Sequence, residues 1–278
     1  MHDFHGKTAL VTGAASGIGR ATAIAFAKAG ASLVICDVDE PRLRETEAMV
    51  RALGRTVFAK RVDVASKDEM RELAEGVHRH HGALDVLVNN AGVGLGGGFL
   101  DTTLEDWSWI VGINLMGVVH GCHYFVPKMV ERGRGGHVVN VSSAAGFTAS
   151  EVLVAYCTTK YAVLGLSEAM RLELKKHHIG VTAICPGIIN TPITKNTRLR
   201  GKSAQPGVQE RVVAFYQKRN YGPEKVAERI LDAVARDRAV VPVSPEAWAF
   251  YFMKRLSPAL FERFSKKMGE RLDKEVGR

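Results

Sequence analysis

Short, β-branched apolar runs alternate with helical patterns along most of this chain, and that alternation restricts the fold more than any other feature. TALVTG at 8–13, SLVICD at 32–37, VFAKRVDV at 57–64, LDVLVNNAG at 84–92, GHVVNVSS at 136–143 and GVTAICPG at 180–187 are expected to form buried parallel strands. They are apolar on both faces, as strands covered by helices on both sides must be. AVVPV at 239–243 would add a seventh strand. Helical patterns predict helices over 19–29, 41–53, 67–80, 104–132, 155–178 and 223–236, and Thr102-Thr103-Leu104-Glu105 reads as a capping box. The expected fold class is therefore α/β, a doubly wound parallel sheet whose ligands lie outside the carboxyl ends of the strands. No linker or repeat divides it: 1–247 reads as one domain with a substrate loop over 188–222, and 248–278 as an amphipathic C-terminal helical extension.

Composition excludes several function classes. An apolar fraction of 46% with 24% charged residues suits a globular protein. No uninterrupted apolar run reaches the ~20 residues of a bilayer span, and MHDFHGKTALVTG lacks the pattern of a signal peptide, so a cytoplasmic location is expected. Cys36, Cys122, Cys157 and Cys185 form no CxxC pair and read as buried reduced thiols. The His78/His80/His81 and His177/His178 groups fall at expected helix ends, and no spacing supports metal. Lys and Arg outnumber acids seven to one over 195–221 and eight to four over 248–278, which together account for the net charge of +9. This basic excess decorates an insertion and a tail, so nucleic acid is not expected as a partner.

The first strand ends in TGAASGIGR. Glycines there permit a tight turn and bring backbone N–H groups to a pyrophosphate at a helix N-terminus, so Gly13, Ser16, Gly17, Ile18 and Gly19 are candidate cofactor contacts. Asp37 closes the second strand, where a carboxylate can accept from both adenosine ribose hydroxyls and would repel a 2′-phosphate. No base directly follows it; Arg20 and Arg42 are the remaining candidates for neutralising such a phosphate. NAD is thus expected ahead of NADP.

In order along the chain stand Thr12-Gly13 with Gly17 and Gly19, Asp63-Val64, Asn89-Asn90-Ala91-Gly92, Asn114, Ser143, Tyr156 with Lys160, and Pro186-Gly187 with Thr191. In this set the chain resembles the classical short-chain dehydrogenase/reductase family, from Lys7 to about Val243. The resemblance implies a Rossmann-like fold, a nicotinamide-dependent oxidoreductase acting on alcohols or ketones, and a dimer or tetramer. It assigns Asn114, Ser143, Tyr156 and Lys160 to catalysis. Asp63, Val64, Asn90, Ala91, Gly92, Pro186, Gly187, Ile189 and Thr191 join the cofactor site, with Tyr156 and Lys160. Tyr156 and Lys160 stand one helical turn apart, so the ammonium is expected to lower the phenol's pKa and ready it for proton exchange. By the same resemblance Lys160 holds ribose hydroxyls, Ser143 binds the substrate oxygen, and Asn114 binds a water leading to solvent.

Apolar residues crowd 94–100, 146–154 and 188–222, so a bulky hydrophobic secondary alcohol or ketone is the expected substrate, met by Ser143, Phe147, Val152, Tyr156 and Ile188. The alternatives are an acyl-carrier-protein or acyl-CoA ketoreductase, suggested by the basic insertion, and a catalytically inactive dinucleotide sensor or scaffold. In the tail, Ser257-Pro258 can start a helix carrying Leu260, Phe261, Phe264, Met268 and Leu272 at helical spacing. That helix would pack on the protein or a sister subunit, or touch an anionic membrane peripherally.

Overall fold

The computed structural model describes residues 3–263. Its main sheet contains β1 (Thr8–Thr12), β2 (Ser32–Asp37), β3 (Val57–Arg61), β4 (Val86–Asn89), β6 (Gly136–Val141), β7 (Ile179–Pro186) and β9 (Val240–Val243). All neighbours run parallel, in the order β3-β2-β1-β4-β6-β7-β9. The order reverses direction between β1 and β4, which makes the crevice at their carboxyl ends the place for a ligand. β5 (Leu95–Gly96) and β8 (Arg198–Leu199) form a separate parallel pair.

Strand residues alternate between two cores. Val11, Ile35, Val88 and Val139 face α1 (Gly17–Lys28), α2 (Glu40–Ala52) and α8 (Pro223–Ala235) through Phe26, Leu43, Val226 and Ile230. Leu10, Val34, Leu87 and Val138 face α3 (Lys67–His81), α5 (Gly117–Arg132) and α6 (Val154–Leu174) through Leu73, Phe125 and Val163. Both faces of the inner strands are therefore covered, which is why those runs read as apolar throughout. β3, expected as a buried strand over 57–64, is instead a shorter edge strand with only Val57 buried and Phe58 and Arg61 exposed. All four cysteines are buried and free.

The helix expected over 104–132 is continuous but not regular. α4 (Leu104–Val111) passes through a π-helical turn, Gly112–Met116, into α5. Its cap is also shifted by one: Thr103, not Thr102, occupies the N-cap, and its hydroxyl accepts from the Asp106 N–H at 3.2 Å. Leu104–Arg132 is long and apolar enough to cross a membrane. Cys122, Phe125 and Met129 are nevertheless buried in the core against α3 and β4.

Beyond β7, α7 (Val208–Arg219) carries the second half of the expected substrate loop. The C-terminal extension begins at α9 (Pro245–Leu256), and helical backbone resumes at 258–263 after Ser257. Phe261 there is buried, its ring 6.4 Å from that of Phe250. Phe264, Met268 and Leu272 lie outside the described residues.

Candidate active site

Three glycines allow the first turn its shape. Gly13 (φ +66°) and Gly17 (φ +52°) adopt left-handed backbone, and a Cβ on Gly13 would lie 2.7 Å from the Ala91 Cα. A Cβ on Gly19 would strike the Gly13 carbonyl oxygen and stand 2.5 Å from Asn90 Nδ2. The Asn90 amide donates to the carbonyls of Thr12 (2.9 Å) and Gly13 (3.2 Å). The Thr12 hydroxyl in turn accepts from the N–H groups of Asn90 and Ala91, both at 3.0 Å. Asn90, expected for its backbone, thus also supports the turn with its side chain, and Thr12 pins β1 to β4 at the crevice. Ser16 is the α1 N-cap without a side-chain capping bond, and Ile18 packs partly on the core.

Asp37 stands at the end of β2, half-buried, accepting from Ala15 N–H (2.9 Å) and Asp39 N–H (3.0 Å). Arg20 bonds the Ala15 and Arg42 carbonyls and Glu45, while Arg42 lies 3.7 Å from Asp39. Asp63 accepts from Ala65 N–H at 2.9 Å, and the Val64 carbonyl faces His120 Nδ1 at 2.8 Å. Pro186 closes β7 and Gly187 follows it, and Thr191 reaches back so that a Cβ on Gly17 would lie 3.3 Å from its own Cβ. Ile189, expected at the cofactor, has its side chain in the core, 4% exposed. An aliphatic side chain gains more from burial than from a polar ligand.

On the other bank of the crevice, α6 brings Tyr156 and Lys160 together, with Lys160 Nζ 5.7 Å from the Tyr156 ring centre. Lys160 is 4% exposed and donates to the Val141 carbonyl at 3.0 Å. Burial drives its pKa down to about 8. Burial also pushes the Tyr156 phenol up to about 12, although a hydrogen bond from its neighbour Ser143 works in the opposite direction. The expected depression of the phenol by the ammonium is therefore absent from the protein's own groups. Desolvation disfavours both charged forms, and the ammonium is turned toward Val141.

The serine pair divides its work. Ser142 donates to the Lys160 carbonyl at 2.7 Å and fixes α6 against β6, while Ser143 accepts from Ala145 N–H (3.1 Å) and lies 3.4 Å from the Pro186 carbonyl. Gly146 is required where it stands, because a Cβ would come within 2.5 Å of Ser142 Oγ and 2.9 Å of the Lys160 carbonyl. Asn114 sits in the π-helical turn, a device that re-aims one side chain. Its amide oxygen accepts from Val93 N–H (2.8 Å), and its nitrogen donates to Val93 O (3.0 Å) and Thr159 Oγ1 (3.3 Å). The position of a Cβ on Gly92 is 3.2 Å from Asn114 Oδ1 and 3.4 Å from Lys160 Nζ, so the two residues meet around Gly92. Thr159 escaped the sequence reading, and Ser142 was passed over in favour of Ser143; only their places beside Asn114 and Lys160 reveal them.

Of the expected substrate residues, Phe147 requires correction. It is 5% exposed, packs with Cys185 and Ala247, and sets its ring 5.5 Å from that of Tyr251 on α9. The C-terminal extension gives it an apolar partner, so it is core rather than cleft. Val152 offers its carbonyl to Gly97 N–H (2.8 Å), and Ile188 N–H donates to Glu246 (2.9 Å). Tyr156 packs against the buried cluster of Leu95, Ile110 and Ala155, on which Val93 and Trp109 also rest.

A turn open to close approach by a pyrophosphate, facing a phenol, a hydroxyl and a buried amine, defines a class of nicotinamide-dependent oxidoreductases. The chain belongs to the short-chain dehydrogenase/reductase family: a family model described as short chain dehydrogenase matches residues 7–201. It is 42% identical over 252 residues to the "Probable oxidoreductase EphD" of Mycobacterium tuberculosis, with 89% of this chain and 43% of that protein covered. The chain thus spans less than half the length of that relative. It is 35% identical over 253 residues to the C alpha-dehydrogenase of a Sphingobium species, covering 88% of this chain and 83% of that one. A short chain dehydrogenase/reductase from Burkholderia phymatum, solved in complex with NAD, superposes with a TM-score of 0.84 at 33% identity, covering 94% of this chain and 96% of that one.

Proposed function

We propose that this protein is an NAD-dependent oxidoreductase that interconverts a bulky, apolar secondary alcohol and its ketone, with Tyr156 exchanging the hydroxyl proton. The observation that carries this reading is the meeting of Ser143, Tyr156 and Lys160 beside the glycine turn. The turn fits a dinucleotide because Gly13, Gly17 and Gly19 leave no side chain between backbone and ligand. Gly13, Ser16, Gly17 and Gly19 would hold the pyrophosphate, Asp37 the adenosine ribose, and Lys160 the nicotinamide ribose. A bound nicotinamide accepts or supplies the hydride and contributes positive charge next to the phenol.

The protein's own groups handle the proton. Ser143 fixes the substrate oxygen and stabilises charge developing on it. Tyr156 takes the hydroxyl proton during oxidation or returns it during reduction. Lys160, held by Val141 and by the Ser142 bond to its backbone, provides the nearby amine, and Asn114 and Thr159 hold the adjoining wall. The apolar cluster of Leu95, Ile110 and Ala155 beside Tyr156 supports an apolar substrate. Asp37 without a free neighbouring base supports NAD, since Arg20 is engaged by Glu45 and two carbonyls.

The test is a panel of secondary alcohols and ketones of increasing bulk, assayed with both cofactors. Turnover should favour NAD and larger apolar substrates. Equal or better kcat/KM with NADP refutes the cofactor assignment, and a preference for small polar alcohols refutes the substrate class.

A further inference from the structure

The run Gly94-Leu95-Gly96-Gly97 contains glycine at three positions where the substrate loop needs space. β5 and β8 pair there, with Arg198 N–H donating to Gly94 O (3.1 Å) and Arg200 N–H to Gly96 O (2.7 Å). A Cβ on Gly94 would meet the Thr197 hydroxyl. One on Gly96 would lie 2.8 Å from Leu199 Cδ2, and one on Gly97 2.9 Å from Arg200 Cβ. Gly97 also bridges to Leu153 and donates to the Val152 carbonyl at 2.8 Å. The three segments expected to enclose the substrate are thus joined at one residue.

Side chains fasten the same joint. Arg200 donates through Nε to Asp106 Oδ2 (2.7 Å) and through Nη2 to Oδ1 (2.8 Å), a two-pronged pair. The Asp106 side chain is only 3% exposed. The Arg200 hydrogen bonds hold its carboxyl below the usual range despite that burial. One turn along α4, the Trp109 ring carries the Arg198 guanidinium 3.6 Å from its centre. Trp109 belongs to the small apolar cluster of Leu95, Ile110 and Ala155 that seats the Tyr156 ring.

We propose that Asp106 and Arg200 are positioning residues that hold the substrate loop in register over Tyr156, and that the glycines at 94, 96 and 97 form the track on which the loop docks. This rests on the oxidoreductase reading above. The pair fixes the wall that meets the alcohol and leaves the glycine turn untouched, so its loss should separate substrate binding from dinucleotide binding.

The experiment uses the full chain with Asp106→Asn, Arg200→Met, the double variant, and Gly96→Val as an independent obstruction of the track. Two readouts are taken: tryptic cleavage after the exposed Lys202, followed by mass spectrometry, and steady-state kinetics with NAD binding measured separately. Each variant should be cut about tenfold faster and show an alcohol KM raised about tenfold: Arg200→Met leaves the buried Asp106 carboxylate without its partner, Asp106→Asn and the double variant lose the two-pronged pair, and Gly96→Val pushes Leu199 off the track. NAD affinity should stay within about twofold, and the double variant should be no worse than the worse single one. If Asp106→Asn fails to fold, Arg200→Lys, which keeps the charge but loses the planar fork, must still raise KM. Wild-type cleavage with unchanged KM overturns the proposal, as does NAD affinity falling in step with KM. Should no alcohol be turned over by the unaltered enzyme, the oxidoreductase reading fails, while cleavage after Lys202 still decides whether the pair holds the loop.

Discussion

Replacing Lys160 with Met should stabilise the protein while destroying its activity. Lys160 is 4% exposed, and burial lowers its pKa from 10.5 to about 8. Below pH 8 both folded and unfolded chains carry the ammonium, and the penalty for burying it is complete, about 3 kcal/mol. Between pH 8 and 10.5 the folded chain has shed the proton and the unfolded chain retains it. The unfolded state then binds more protons, so this group's contribution to stability rises with pH across that window. Met keeps the stem and removes the charge, but it also removes the bond to the Val141 carbonyl, worth about 1 kcal/mol. The net expectation is a gain of about 2 kcal/mol at pH 7, shrinking as pH approaches 10. The buried cysteines and Tyr156, whose pKa values are raised, act in the opposite sense at alkaline pH. Comparing wild type and variant at each pH cancels those contributions. Urea unfolding at fixed protein concentration, at pH 7, 8.5 and 9.5, measures the gap. A variant no more stable than wild type at pH 7, or a gap that does not narrow with pH, would refute the reasoning.

Tyr156→Phe should reduce kcat at least about a thousandfold with NAD affinity nearly unchanged, since Phe keeps the ring and has no proton to exchange; substantial residual turnover would sink the assignment. Asp37→Ser should narrow the preference for NAD by about tenfold, the effect of removing about 1.4 kcal/mol of repulsion, read as the ratio of kcat/KM values for the two cofactors. Gly19→Ala should abolish dinucleotide binding measured by calorimetry, because its methyl would overlap the Gly13 carbonyl and press on Asn90. Truncation before Trp248 should lower Tm and expose Phe147, which loses Tyr251, detectable as increased binding of a hydrophobic dye. Sedimentation should find a dimer or tetramer at micromolar concentration, as the family resemblance implies; a monomer alone would contradict it.

The sheet, the glycine turn and the Tyr156–Lys160 pair were legible in the sequence because each is local. Strand periodicity, a strand-to-helix turn and a one-turn helical spacing all repeat within a few residues. Asp37 was legible for the same reason, standing where its strand ends. The resemblance singled out Ser143, but only tertiary structure showed what Ser142 does, since what each hydroxyl meets is set by α6 and β7, far along the chain. It also turned Phe147 toward Tyr251 and placed the π-helical turn that aims Asn114 at Val93 and Thr159. Tertiary packing likewise decided what each titratable group experiences. Spacing put an ammonium beside a phenol, but burial, which depends on everything packed around them, moved both pKa values toward their neutral forms. The glycines at 94, 96 and 97 looked like ordinary loop residues because the segment that fills their space lies about a hundred residues later, where only the folded chain brings Leu199 and Arg200 against them.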